Sequence, residues 1–151
     1  APAAVNIVVT GPESSGTRFV SQWLEANPDV TARHWSIPSG EGWLRHWPTD
    51  HDFDGEPPDR IVLVIRWFEA TIASQLDREM VASREEAEAN IVMAITRALT
   101  WALSHGVPTY ILVYDSIIAE PHRFDLVFDW LGLPRTPAPH PILDANAKWD
   151  R

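Results

Sequence analysis

The sequence predicts an α/β domain of three layers, a mostly parallel central sheet flanked by helices. Three observations carry that expectation. Ile61-Val62-Leu63-Val64-Ile65 is an uninterrupted, mostly β-branched run, the mark of a strand covered on both faces. Segments of that kind alternate along the chain with segments of helical period, which asks for parallel strands joined by helical crossovers. The first such strand and helix are joined by a short turn that carries Gly11 and Gly16.

Taken in order, Val5 to Val9 is apolar except for Asn6 and reads as a buried strand. A helix is expected from Thr17 to Ala26, because Phe19, Val20, Trp23 and Leu24 share one face and Asn27-Pro28 stops it. Asp29 to His34 reads as a short second strand. From Trp35 to Asp59, Pro, Gly, Trp and acidic residues interleave without period; so long an irregular stretch marks a functional or mobile loop. After the strand at Ile61 comes Arg66, then a helix expected over Glu69 to Ala82. Ser83 and Glu86 have capping-box spacing and open a long helix. Ile91, Ile95, Ala98, Leu99, Ala102 and Leu103 stripe its inner face, and Gly106 closes it. Tyr110 to Tyr114 reads as another buried strand. Pro121 suits a helix start, with Phe124, Val127, Phe128 and Leu131 inward and Gly132-Leu133-Pro134 at the end. The tail from Arg135 is proline-rich and irregular. One domain over residues 1–151 is the natural division for this length.

Composition narrows the function classes. The net charge of -9 argues against a nucleic-acid binder that works by neutralising phosphates. No cysteine is present, which removes disulfides, zinc-thiolate sites and thiol nucleophiles. No apolar run is long enough for a membrane span, and no basic segment precedes an apolar one at the start, so a cytoplasmic location is the expectation. Lys148 is the only lysine; the cations are otherwise arginines, whose planar fork suits bidentate contacts to phosphate or sulfate.

Strand, Gly-bearing turn and helix together aim backbone N–H groups and a helix dipole at an anion. Gly11 and Gly16 have P-loop spacing, so the domain is P-loop-like, yet Thr17-Arg18 follows where the ATP-binding pattern has Lys and a hydroxyl residue. In a parallel sheet, ligands bind at the carboxyl ends of the strands. That edge is expected to gather the Gly11–Arg18 loop, Arg66 and Tyr114-Asp115. A guanidinium at a strand end and the Ser74 hydroxyl on the next helix suit one phosphate; the plainer alternative for Arg66 is an ion pair with Glu69 or Asp59.

Three segments resemble the sulfotransferases that use 3′-phosphoadenosine 5′-phosphosulfate, a branch of the P-loop fold. Pro12-Glu13-Ser14-Ser15-Gly16-Thr17-Arg18 is similar to their 5′-phosphosulfate loop. Val64-Ile65-Arg66 with Ser74 is similar to their 3′-phosphate clamp. Val113-Tyr114-Asp115, Glu120-Pro121 and Trp130-Leu131-Gly132-Leu133-Pro134 resemble their closing strand and helix. The resemblance implies that Ser14, Ser15, Gly16, Thr17 and Arg18 hold the phosphosulfate and that Arg66 and Ser74 hold the 3′-phosphate. It implies sulfuryl transfer to a hydroxyl or amine acceptor with no metal required. Where the family commonly has a basic residue, this chain has Ser14, and Arg18 is the substitute that the sequence offers. A histidine often serves as the family's base; His34 is the candidate, with His46 and His51 behind it. Trp35, Trp43 and Trp47 crowd the same loop; their faces suit a small-molecule or carbohydrate acceptor, and the plainer alternative, which fits at least two of them, is that they pin the loop to the core. Asp50, Asp52 and Asp54 match half of a calcium loop, but Ile61 stands where the bidentate Glu belongs. Two alternatives accompany this reading: a P-loop small-molecule kinase or nucleotide hydrolase, and a non-catalytic binding module.

Overall fold

Residues 4–12, 16–37 and 58–138 are described by the structure, a computed structural model, with backbone only for 34–37. Four parallel strands form one sheet in the order β2-β1-β3-β4. They are β1 (Val5–Pro12), β2 (Val30–Ile37), β3 (Arg60–Ile65) and β4 (Thr109–Val113). The helices are α1 (Thr17–Glu25), α2 (Phe68–Asp77), α3 (Arg84–His105), α4 (Tyr114–Ala119) and α5 (Asp125–Leu131), with a 3-10 turn at Pro121–Phe124. The three-layer α/β expectation is met.

Alternation along β3 explains why its sequence is apolar throughout. Val62 and Val64 enter one core with Ile7, Val9, Trp23, Leu24, Ile117, Phe124 and Phe128. Ile61 and Leu63 enter the opposite core with Val8, Ala94, Ala98 and Trp101. Side chains on a strand point alternately to the two faces, so both sets must be apolar when both faces are covered. Helix α1 and the α4–α5 segment cover the first face, and α3 covers the second.

From β1 the chain crosses outward to β2, and then returns past β1 to β3 and β4. The direction of winding reverses between β1 and β3, which opens a crevice at their carboxyl ends. Gly16 at the start of α1 and Arg66 after β3 lie at that edge.

Several boundaries differ from the sequence reading, each for a local reason. Strand β2 continues to Ile37, paired in register with β1 up to Pro12, so residues 35–37 belong to the sheet and not to the irregular loop. Helix α2 stops at Asp77, not Ala82. Glu79 takes φ 56, and Met80 N–H donates to Gln75 C=O while Glu79 N–H donates to Leu76 C=O. That is a Schellman ending built without glycine, which is why it was invisible in the sequence. Helix α3 begins and ends as expected: Ser83 Oγ accepts from Glu86 N–H at 3.2 Å, and Gly106 takes φ 64. Its inner stripe is Ala87, Asn90, Ile91, Ala94, Ala98, Trp101 and Ala102; Leu103 is 82% exposed and does not belong to it. Strand β4 ends at Val113, because Tyr114 already starts α4. It is half-exposed rather than buried, with Ile111 and Val113 open to solvent. The last helix opens with the 3-10 turn instead of α geometry at Pro121, and Leu131 is only partly buried.

The irregular segment after Leu133 is tied down over its described part. Trp23 Nε1–H donates to Thr136 C=O at 2.8 Å, and Asn27 Nδ2–H donates to Pro134 C=O at 3.0 Å. Those bonds bind the back of α1, whose front carries the candidate site.

Candidate anion-binding site

Three elements distant in sequence meet at the carboxyl edge of the sheet. The first is the start of α1. Gly16 is its N-cap, with φ 94 in the left-handed region, a conformation that residues with a Cβ rarely adopt. The first helical hydrogen bond runs from Val20 N–H to Gly16 C=O at 3.2 Å. The amides of this first turn therefore point back at the end of β1.

The second element is Tyr114, the first residue of α4 and only 4% exposed. A Cβ on Gly16 would sit 2.5 Å from Tyr114 Cδ2 and 2.8 Å from Cε2. The loop thus packs its backbone directly on the ring. Phe19 meets the same ring edge-on, with centroids 6.3 Å apart.

The third element is Arg66, which follows β3 directly. It is 8% exposed, and its Cζ lies 5.5 Å from the Tyr114 centroid, within cation–π range. Asp115 accepts a hydrogen bond from Trp67 N–H at 2.6 Å, which ties the turn before α2 to the start of α4. Ser74 lies further along α2 and is buried. Thr71 and Gln75 of the same helix are buried beside it in sequence, a polar face that was not foreseen.

Both carboxylates that the sequence offers Arg66 as ion-pair partners are engaged by other groups. Glu69 is engaged by Arg84, with Nη1 donating to Oε2 at 2.8 Å. Hydrogen bonding from Arg84 holds the Glu69 carboxyl below its ordinary range; burial opposes it, and the charge of the same guanidinium adds a smaller lowering. Asp59 in turn accepts from Asn6 N–H at 2.9 Å. Burying a guanidinium beside a ring, at the end of a central strand, requires compensating partners.

The structure brings Gly16, Thr17, Arg66 and Tyr114-Asp115 to one edge, as the topology predicted. Thr17 is the first residue of α1 and buried; Arg18 is the second and exposed. Ser14 and Ser15 lie outside the described residues, as do His46, His51, Asp50, Asp52, Asp54 and Lys148. His34 is on β2 with its backbone level with Val9, three register positions before β1 ends at Pro12. The ring of Tyr114 is the feature that sequence reasoning missed. Its position at the end of a strand was legible, but not the contact that joins it to Gly16.

No protein-family model matches the chain, and no curated protein matches it. Among the described residues, no helix is long and apolar enough to cross a membrane.

Proposed function

We propose that this domain is a sulfotransferase that takes its sulfuryl group from 3′-phosphoadenosine 5′-phosphosulfate. The observation that carries the reading is a buried arginine, Arg66, that shares the Tyr114 ring with the Gly16 turn. Two anion-binding features at neighbouring strand ends suit a ligand with two separated anionic groups. The absent Cβ at Gly16 lets the start of α1 sit directly on the Tyr114 ring, beside Arg66.

In this reading the first turn of α1, with Ser14, Ser15, Gly16 and Thr17, receives the 5′-phosphosulfate. Arg66 and Ser74 receive the 3′-phosphate, and Arg18 reaches over the loop to supply the charge that Ser14 lacks. The acceptor oxygen or nitrogen bonds to sulfur as the bond from sulfur to the bridging phosphate oxygen breaks. The electron pair departs with 3′-phosphoadenosine 5′-phosphate, and the acceptor proton passes to a base, for which His34 is the candidate. Positioned cations and amides stabilise the charge that grows on the leaving oxygen.

The kinase or hydrolase alternative needs a Walker lysine, and Thr17 stands at that position. Calorimetric titration with adenosine 3′,5′-bisphosphate and with ATP plus Mg²⁺ separates the two. Binding of the bisphosphate without Mg²⁺ supports the sulfotransferase reading; Mg²⁺-dependent binding of ATP alone overturns it. Normal bisphosphate binding with no transfer to any of a broad acceptor panel would point to a non-catalytic binding module.

A further inference from the structure

We propose that Tyr114 is a specificity-determining positioning residue that makes the two anion-binding ends of the site act as one. The inference rests on the two-anion reading above and adds a role for a residue that neither end was assigned. Three contacts converge on its ring. The Gly16 backbone is so close that a Cβ there would lie 2.5 Å from the ring carbon Cδ2. The Arg66 guanidinium carbon lies 5.5 Å from the ring centroid. Phe19, on the first turn of α1, closes on it edge-first at 84°.

A buried ring in a close-packed site cannot shift toward one neighbour without leaving another. Movement of the Gly16 turn is therefore transmitted to the guanidinium, and the reverse holds equally. A ligand that engages the Gly16 turn also sets Arg66 in place, so the second anion meets a charge already positioned. Coupling of this kind is reciprocal between the two ends. The consequence is selectivity: a nucleotide with anions at both 3′ and 5′ positions gains from both ends together, whereas one with a 5′-phosphate alone gains from the loop only.

The test compares wild type, Tyr114→Phe and Tyr114→Leu, each titrated with adenosine 3′,5′-bisphosphate and with adenosine 5′-monophosphate. The Phe variant keeps the ring and should retain the wild-type ratio of the two affinities. The Leu variant should lose about tenfold in that ratio, the order expected from removing one aromatic partner of a buried cation. An unchanged ratio in the Leu variant overturns the proposal, as does an equal loss for both nucleotides. A second readout needs no ligand and tolerates a poorly folding Leu variant. The Val20 amide bonds to Gly16 C=O at 3.2 Å, so its hydrogen exchange reports order in the first turn of α1. Arg66→Ala should speed that exchange in the otherwise wild-type chain, and unchanged exchange overturns the coupling. If wild type binds neither nucleotide, the two-anion reading falls by itself while the exchange result still decides whether Tyr114 joins the two ends.

Discussion

Gly16 is the residue on which the candidate site turns. Its φ of 94 and the 2.5 Å approach of a virtual Cβ to Tyr114 are independent obstacles to any side chain. Gly16→Ala should therefore destabilise the fold by about 2 kcal/mol or more, from backbone strain plus overpacking. Chemical denaturation measures this; a midpoint equal to wild type would mean that the turn is looser than described. Arg66 makes a different prediction. Lysine keeps its charge but loses the planar fork and the face that lies on Tyr114, so Arg66→Lys should weaken bisphosphate binding about tenfold or more. Equal affinity in the lysine variant would show that only net charge matters at that position.

At the scale of elements, helix ends decide what was legible. The start of α3 was readable from Ser83 and Glu86: Ser83 Oγ accepts from Glu86 N–H, while Glu86 Oε2 reaches one residue further back than a capping box asks and accepts from Ala82 N–H at 3.0 Å. Ser83→Ala should cost about 1 kcal/mol in a denaturant titration. The end of α2 was not readable, because Glu79 adopts a glycine-like φ of 56 in a sequence that continues to look helical. Strand β3 was legible since both of its faces are buried. Strand β4 was misread because Ile111 and Val113 are as apolar as core residues yet face solvent. Apolar composition signals burial, but it does not say whether a layer covers the second face. The two helices that follow β3 are also joined by charge. Arg84 reaches Glu69 and also Glu88, the latter at 2.9 Å. Glu69 titrates below its ordinary value of 4.5, first because of the Arg84 hydrogen bond. A carboxyl whose folded value is depressed stabilises the fold fully above its unfolded value and loses that contribution as pH falls through the folded one. Arg84→Gln should then lower the melting temperature slightly at neutral pH, and the gap to wild type should close as the pH drops below 4.5. The effect is small and weakened by salt, since both side chains are about half-exposed. A gap that persists in acid would assign the stabilisation to packing instead.

For the whole molecule, the sheet order does the organising. Winding reverses between β1 and β3, and that reversal sets the Gly16 turn and Arg66 at one crevice with Tyr114 between them. The convergence was legible from alternating strands and helices, because topology alone decides which strand ends are neighbours. The depth of Arg66 and the wedge made by Tyr114 were not, since they depend on packing between segments about fifty to a hundred residues apart, which no local pattern encodes. An acidic chain of net charge -9 can still host an anion if its cations are concentrated at such a point. The most direct test is a crystal structure of the protein with adenosine 3′,5′-bisphosphate. The 5′-phosphate should lie at the amides that open α1 and the 3′-phosphate within hydrogen-bond reach of Arg66 and Ser74. A bisphosphate bound elsewhere, or one whose 3′-phosphate makes no contact with Arg66, would contradict it.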